Sequence, residues 1–429
     1  MRHNYAIICA LIFILSSTPG WSVERRILDN GLTLIYKQNR VSRITSCIAF
    51  IRGGSCTEKA DKSGITNLLL KTLLKGTTSL NAEEISRKIE SLGGEIQSEV
   101  SPDFAQVSLV IPTRHFKNGF KIFADVMKNP AFLQDEIEKE RKVVISEIRA
   151  RYDEIFPYTY DCFLAALYDT FPYSRNVLGR ENTVLSITRD DLAEYHRRLF
   201  APNNIILVIL TGMPLKEIIR EVDTEFGSLL PFDRIQEKIE GPFPPEKPVV
   251  FRAEKEFIQG YLMFGYLAPE VSSEDYPVLK LINSILGEGG SSRLFVQIRE
   301  KKGLAYEVGS FYPSRMHPSH FTIYMGLDSK KIEEAKVALQ NLLETEPAEE
   351  EIVNAKSFLI GKFILDHESS QRQAWYLGWY EALGIGYRYD EEYPFKIGKI
   401  NIEDVKRAIS TYFRKDNWVC VEVRPPVNK

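Results

Sequence analysis

The chain has 429 residues, 44% of them hydrophobic and 26% charged, which is ordinary for a globular protein but long for a single core. Its 55 Lys+Arg stand against 58 Asp+Glu, for a net charge of -3. That balance lacks the basic excess or stripe of a nucleic-acid binder, so no nucleic-acid partner is expected.

The first residues read as a secretory signal. Arg2 and His3 give a positive start, Tyr5 to Leu15 is an apolar run, and Ser16, Ser17, Thr18, Pro19 and Gly20 lead to a cut after Ser22. The run is too short for an ordinary transmembrane helix; the other reading is an uncleaved anchor. Cys9 lies inside the run rather than after it, which argues against a lipoprotein. No later stretch approaches a span, so the mature chain is expected to be secreted across the cytoplasmic membrane without a stable membrane segment, and to be periplasmic in a Gram-negative cell. Beyond Cys9, Cys47, Cys56, Cys162 and Cys420 show no CxxC spacing and make no zinc framework. Buried free thiols are expected, with a long-range disulfide left open.

Val23–Gln38 and Ser46–Gly53 read as strands, followed by a helix over 63–75 with apolar Ile65, Leu68, Leu69 and Leu73. Asn81, with Glu84 three residues on, reads as an N-cap with a capping-box partner, and Gly93 and Gly94 end that helix. Glu95–Val100 and Phe104–Ile111 alternate as hairpin strands, and helices follow at roughly 113–127 and 133–152. Pro231, Pro242, Pro244, Pro245 and Pro248 mark residues 228–248 as a linker between domains at 23–227 and 249–429. In the second half, Val249–Leu267 and Ala305–Gly326 are strand-like, and 274–287, 329–344 and 348–365 are helical.

The two halves match at an offset of 213 residues: Ile187 with Ile400, Asp191 with Asp404, Phe200 with Phe413, Asn204 with Asn417, and Gly76 with Gly289. Two copies of one α+β fold are therefore expected.

Several segments, taken in order, resemble the pitrilysin and mitochondrial-processing-peptidase family of inverted-motif zinc peptidases. They are Leu28-Asp29-Asn30-Gly31-Leu32-Thr33, Gly53-Gly54-Ser55, Lys62-Ser63-Gly64 and Leu74-Lys75-Gly76-Thr77. Glu138-Lys139-Glu140-Arg141-Lys142-Val143-Val144 with Glu147, Ser291-Ser292-Arg293-Leu294-Phe295, and Ile298 to Tyr306 complete the set. The resemblance implies two homologous α/β-roll domains forming half of a clam-like chamber. In active members, two histidines of a His-x-x-Glu-His motif and a distant glutamate hold zinc, and the motif glutamate activates water.

Here the motif positions read Asn67-Leu68-Leu69-Leu70-Lys71. Asn67 and Lys71 replace the histidines, and Leu70 replaces the general base. Glu147, 76 residues after Lys71, keeps the third ligand's place, and Glu140 lies two turns earlier on the same side. A Glu147–Lys71 ion pair in place of the metal is expected; the alternative is two ordinary solvated helix charges. His317-Pro318-Ser319-His320 is read as a polar hairpin turn rather than a ligand pair. The resemblance also implies that Arg299 and Tyr306 bind the substrate backbone around the cleaved bond, by guanidinium donors and a phenol. Their other reading is a helix-end arginine near backbone carbonyls and a core tyrosine. The whole pattern implies a non-catalytic subunit that binds no metal itself and pairs with a His-x-x-Glu-His homologue carrying zinc, around unfolded peptides. A stand-alone peptide-binding or structural clam is the other function considered.

Overall fold

Two sheets carry the molecule, and they are built alike. The computed structural model describes residues 23–232 and 241–426. The expected signal segment 1–22, residues 233–240 of the expected linker and residues 427–429 lie outside the described residues.

The first repeat runs β1 (Val23–Ile27), β2 (Thr33–Gln38), β3 (Ile44–Arg52), α1 (Ile65–Leu73), α2 (Ala82–Ser91), β4 (Glu95–Val100) and β5 (Phe104–Pro112). It continues through α3 (Phe116–Lys128), α4 (Gln134–Asp153), α5 (Ile155–Tyr168), α6 (Glu181–Ser186), α7 (Arg189–Leu199), β6 (Ile205–Thr211) and α8 (Leu215–Phe226). The second repeat holds β7 (Val249–Glu254), β8 (Gly260–Ala268), α9 (Tyr276–Gly287), a π-helix at Leu294–Lys301, β9 (Glu307–Phe311) and β10 (Ser319–Leu327). It closes with α10 (Ile332–Leu343), α11 (Glu349–Asp366), α12 (Ser370–Ala382), α13 (Tyr389–Lys399), α14 (Ile402–Tyr412) and β11 (Trp418–Arg424).

The strand orders are β1-β2-β6-β3-β5-β4 and β7-β11-β8-β10-β9. Apart from the added edge strand β1, they are one topology. The 213-residue offset carries α7 onto α14 and β6 onto β11 at both bounds. The long strand expectations resolve into pairs: Val23–Gln38 is the β1–β2 hairpin, Val249–Leu267 is β7 and β8, and Ala305–Gly326 is β9 and β10. Asn81 caps α2 with the expected reciprocal Glu84 contact.

Strand alternation explains the layers, because successive side chains point to opposite faces. Cys47, Ala49 and Ile51 of β3 face a core built with α1, α3 and α4 of the same repeat. Ile48 and Phe50 face the other way, into a core shared with α12 of the second repeat. The second sheet mirrors this: Tyr261 and Met263 of β8 pack under α5 of the first repeat. The two repeats therefore exchange one helix each.

Polar contacts follow the exchange. On α12, Trp375 Nε1 donates to Gln106 Oε1 at 3.0 Å, and Glu381 accepts from Arg25 at 2.8 Å. On α5, Tyr160 and Tyr168 meet the two ring nitrogens of His320 at 2.9 and 3.0 Å. Burial and the nearby Arg315 hold His320 well below the usual histidine range, so it is neutral. The expected polar turn at His317–His320 is thereby corrected: His320 is a buried residue of β10, fixed by the exchanged helix. Buried Asp103 accepts from Tyr173 and lies 3.8 Å from Arg315, another link between the repeats. All four described cysteines are free; three are buried and Cys162 is half-buried.

Candidate functional site

Helix α1 begins at Gly64, whose left-handed φ of 93° suits glycine. The Glu58 carboxylate caps the start, accepting from the N–H of Gly64 at 2.8 Å and of Thr66 at 2.9 Å. Burial pushes Glu58 up to about 7, while those donors pull it down. Eight of the nine α1 residues are buried. Lys71 is the exception, and its ammonium reaches out toward α4.

Helix α4 presses Ile137, Arg141, Val144 and Ile148 into the molecule. Arg141 ties it to the following segment by donating to the carbonyls of Val184 and Ile187. Glu140 and Glu147 are left on the side that meets α1. Lys71 Nζ lies 2.8 Å from Glu147 Oε1, so the expected contact forms. A second pair was not foreseen: Lys75 Nζ lies 2.9 Å from Glu140 Oε1. Lys75 lies in the turn just past the end of α1, its N–H on the Thr72 carbonyl, and reaches the glutamate two turns before Glu147 on α4.

Asn67, one turn before Lys71, is 7% exposed, and its Nδ2 has no hydrogen-bond partner among the described residues. Leu70 is buried, and its carbonyl accepts from Ser98 Oγ of β4 at 3.0 Å. These side chains do not fit zinc. A protonated lysine has no lone pair to give, an aliphatic side chain cannot take a proton from water, and both carboxylates already face ammonium groups. Among the described residues no group of three His, Cys, Asp or Glu is arranged to hold a metal.

Beside this cluster runs an open groove of about 430 Å³, lined by Leu74, Ile96, Gln97, Ser98, Glu99 and Gln106 with Ser108. It follows β4, the outermost strand of the first sheet, which pairs with β5 on one side only.

Arg299 and Tyr306 lie elsewhere, on the second repeat. Their segments pack with β9, α9 and α10, whereas Lys71 and Glu147 sit where α1 packs against α4 and β4. Tyr306 is 68% exposed just before β9, held by its backbone N–H to the Gly326 carbonyl at 2.8 Å. It is not the core tyrosine of the alternative reading. Arg299 is exposed, its guanidinium 4.9 Å above the Phe295 ring. Among the described residues it shows no ion pair and no side-chain hydrogen bond. The structure thus brings the five motif-related positions 67, 70, 71, 140 and 147 into one region, and leaves the Arg/Tyr pair exposed in another.

Comparison with known proteins fits this arrangement. Residues 33–181 match the profile of insulinase (peptidase family M16), and residues 186–359 that of the peptidase M16 inactive domain. The chain belongs to peptidase family M16. M16 relatives include an uncharacterized zinc protease of Bacillus subtilis, YmxG, 26% identical over 398 residues, covering 92% of this chain and 96% of the relative. One of Rickettsia felis is 27% identical over 394 residues, covering 90% and 94%. Among solved structures, a protease from Helicobacter pylori superposes with a TM-score of 0.88 at 22% identity, covering 94% of this chain and 100% of that one. A peptidase M16 inactive domain from Pseudomonas fluorescens gives the same TM-score and identity, covering 95% and 99%. The M16 fold, with two similar domains, is that of this chain, which is a homologue of the family's inactive type. Among the described residues no helix is long and apolar enough to cross a membrane.

Proposed function

We propose that this M16 chain is the substrate-holding, non-catalytic subunit of a secreted zinc peptidase, periplasmic in a Gram-negative cell. Its partner is a homologue with an intact His-x-x-Glu-His motif, and the two close around an unfolded peptide. One contrast carries the reading. At the motif positions, cations meet carboxylates and the chemistry of zinc is gone. At Arg299 and Tyr306 a multi-donor fork and a phenol are exposed, with no side-chain hydrogen bond among the described residues. The open edge of β4, with its groove, offers the peptide a strand to pair with. The name zinc protease belongs to those relatives; for this chain the non-catalytic reading rests on its own Asn67, Leu70 and Lys71.

The test is co-purification from the native host, followed by zinc analysis of each subunit and peptidase assays with and without the partner. The mature chain alone is expected to hold no stoichiometric zinc and to cleave nothing. Arg299→Ala is expected to lower the activity of the reconstituted pair. Zinc-dependent peptidase activity of the isolated chain would overturn the reading, and an unaffected Arg299→Ala pair would remove the role given to that residue. Peptide binding by a chain that recruits no zinc-bearing partner would favour the stand-alone peptide-binding protein, which the same exposed groups could serve.

A further inference from the structure

The helix that carries Arg299 departs from its counterpart in the first repeat. There, Ala82–Ser91 is an ordinary α-helix with a capping box. Here, Leu294–Lys301 is wound as a π-helix over all eight residues. π-Helical winding is rare, is mostly confined to single turns, and gathers at functional sites, because it spends backbone stability to aim a side chain. Leu294 and Ile298 are buried and fix the underside of this helix. On its outer side Phe295 lies beneath Arg299, ring centroid to guanidinium carbon 4.9 Å. The chain then reverses at Gly303, whose φ is +60°; a Cβ there would meet nothing within 4 Å, so backbone conformation rather than space calls for glycine. Tyr306 follows at the start of β9.

We propose that Phe295 is a positioning residue for peptide binding: its ring is the platform that holds the Arg299 guanidinium outward with its N–H donors free. The proposal rests on the reading that Arg299 binds peptide backbone. A guanidinium held over a ring face by cation–π attraction commits no hydrogen-bond donor to a carboxylate, whereas an arginine steadied by a carboxylate would have its donors occupied. Stacking also removes rotamers that binding would otherwise have to freeze. The π-helix supplies the register, and the aromatic face supplies the hold.

The experiment uses the mature chain and a fluorescein-labelled, reduced and alkylated casein as the unfolded polypeptide, with binding read by anisotropy. Arg299→Ala comes first and tests the underlying reading: unchanged binding, or no binding by the wild type, overturns that reading and the platform with it. Given a loss in Arg299→Ala, Phe295→Leu is expected to weaken binding about threefold to tenfold, the size of a cation–π contact. Phe295→Tyr is expected to stay within about twofold, since it keeps the ring face. The double variant Phe295→Leu/Arg299→Ala is expected to bind no more weakly than Arg299→Ala alone. Wild-type affinity in Phe295→Leu, or an undiminished further loss in the double variant, overturns the proposal while leaving the role of Arg299 standing. Melting curves guard against misfolding; if Phe295→Leu unfolds early, Phe295→Met takes its place.

Discussion

At the scale of single residues, the 2.8 Å between Lys71 and Glu147 fixes how the degenerate site is built. Side chains 71 and 147 face each other as two ligands of one ion would, and Asn67 sits one turn from Lys71 on the same helix. The ion pair itself adds little stability: the lysine is 28% exposed and the glutamate 40%, and pairs this wet are worth about 0–1 kcal/mol. Its effect is exclusion, since an ammonium stands where a cation would have to bind. Restoring two imidazoles should therefore restore a site. Asn67→His/Lys71→His, with Glu147 untouched, is expected to bind close to one zinc per chain, measured by elemental analysis after dialysis, while the wild type binds none. A double variant that stays folded and metal-free would mean that positions 67, 71 and 147 do not converge. This part of the site was legible because the family resemblance sets position 147 in the place of the third ligand; helical spacing adds only that 67 and 71, and 140 and 147, share a side of their own helices. The Lys75–Glu140 pair went unread because Lys75 lies past the end of α1, where helical spacing no longer applies, and the exposure of Tyr306 could not be read at all. A tyrosine beside a strand looks the same in sequence whether it points inward or out.

At the scale of elements, periodicity gave the strands and the amphipathic helices, and the 213-residue offset gave the repeat. The exchanged helices α5 and α12 were missed for a physical reason. Each lies between its own repeat and the other's sheet, so apolar residues surround it and no single stripe stands out. Trp375, Tyr376, Trp379 and Tyr380 of α12 form one aromatic run over more than one face. The close fit of these helices leaves a different mark, in glycine. A Cβ on Gly378 of α12 would collide with the Phe50 ring of β3 and come within 2.7 Å of Val208. A Cβ on Gly265 of β8 would come within 2.8 Å of Phe163 on α5. In an open helix, Gly→Ala gains about 1 kcal/mol. Gly378→Ala is expected to lose that gain or reverse its sign, because overpacking costs about 1–3 kcal/mol, for a net loss of about 0–2 kcal/mol. Urea unfolding of the two chains measures it, and a stabilised Gly378→Ala would show that α12 does not pack closely on the first sheet.

At the scale of the whole molecule, the exchange bears on how a chamber could close. Helix α5 covers one face of the second sheet and α12 one face of the first; His320 bonds to Tyr160 and Tyr168 of the opposite repeat, and Arg315 faces Asp103 across the same boundary. Separating the repeats would expose Phe50, Ile48 and Val208 on one side and Tyr261, Met263 and Val421 on the other, and would strand buried polar groups without partners. A hinge between the repeats would meet that cost at every opening. The repeats are therefore expected to move as one body, and the proposed clam would then take a second chain to open for a peptide, in keeping with the pair proposed above. The interlock can be tested by cutting the polypeptide between residues 232 and 241. Produced alone, 23–232 and 241–429 are each expected to lack a cooperative unfolding transition, because each lacks the helix that covers its sheet. Produced together, they are expected to elute as one complex, with near-ultraviolet circular dichroism like that of the intact chain and with Tyr168 and His320 still in contact across the cut. A first-repeat fragment that folds cooperatively on its own would show that α12 is an accessory to that sheet rather than part of its core, and would return the closing motion to a hinge within this chain.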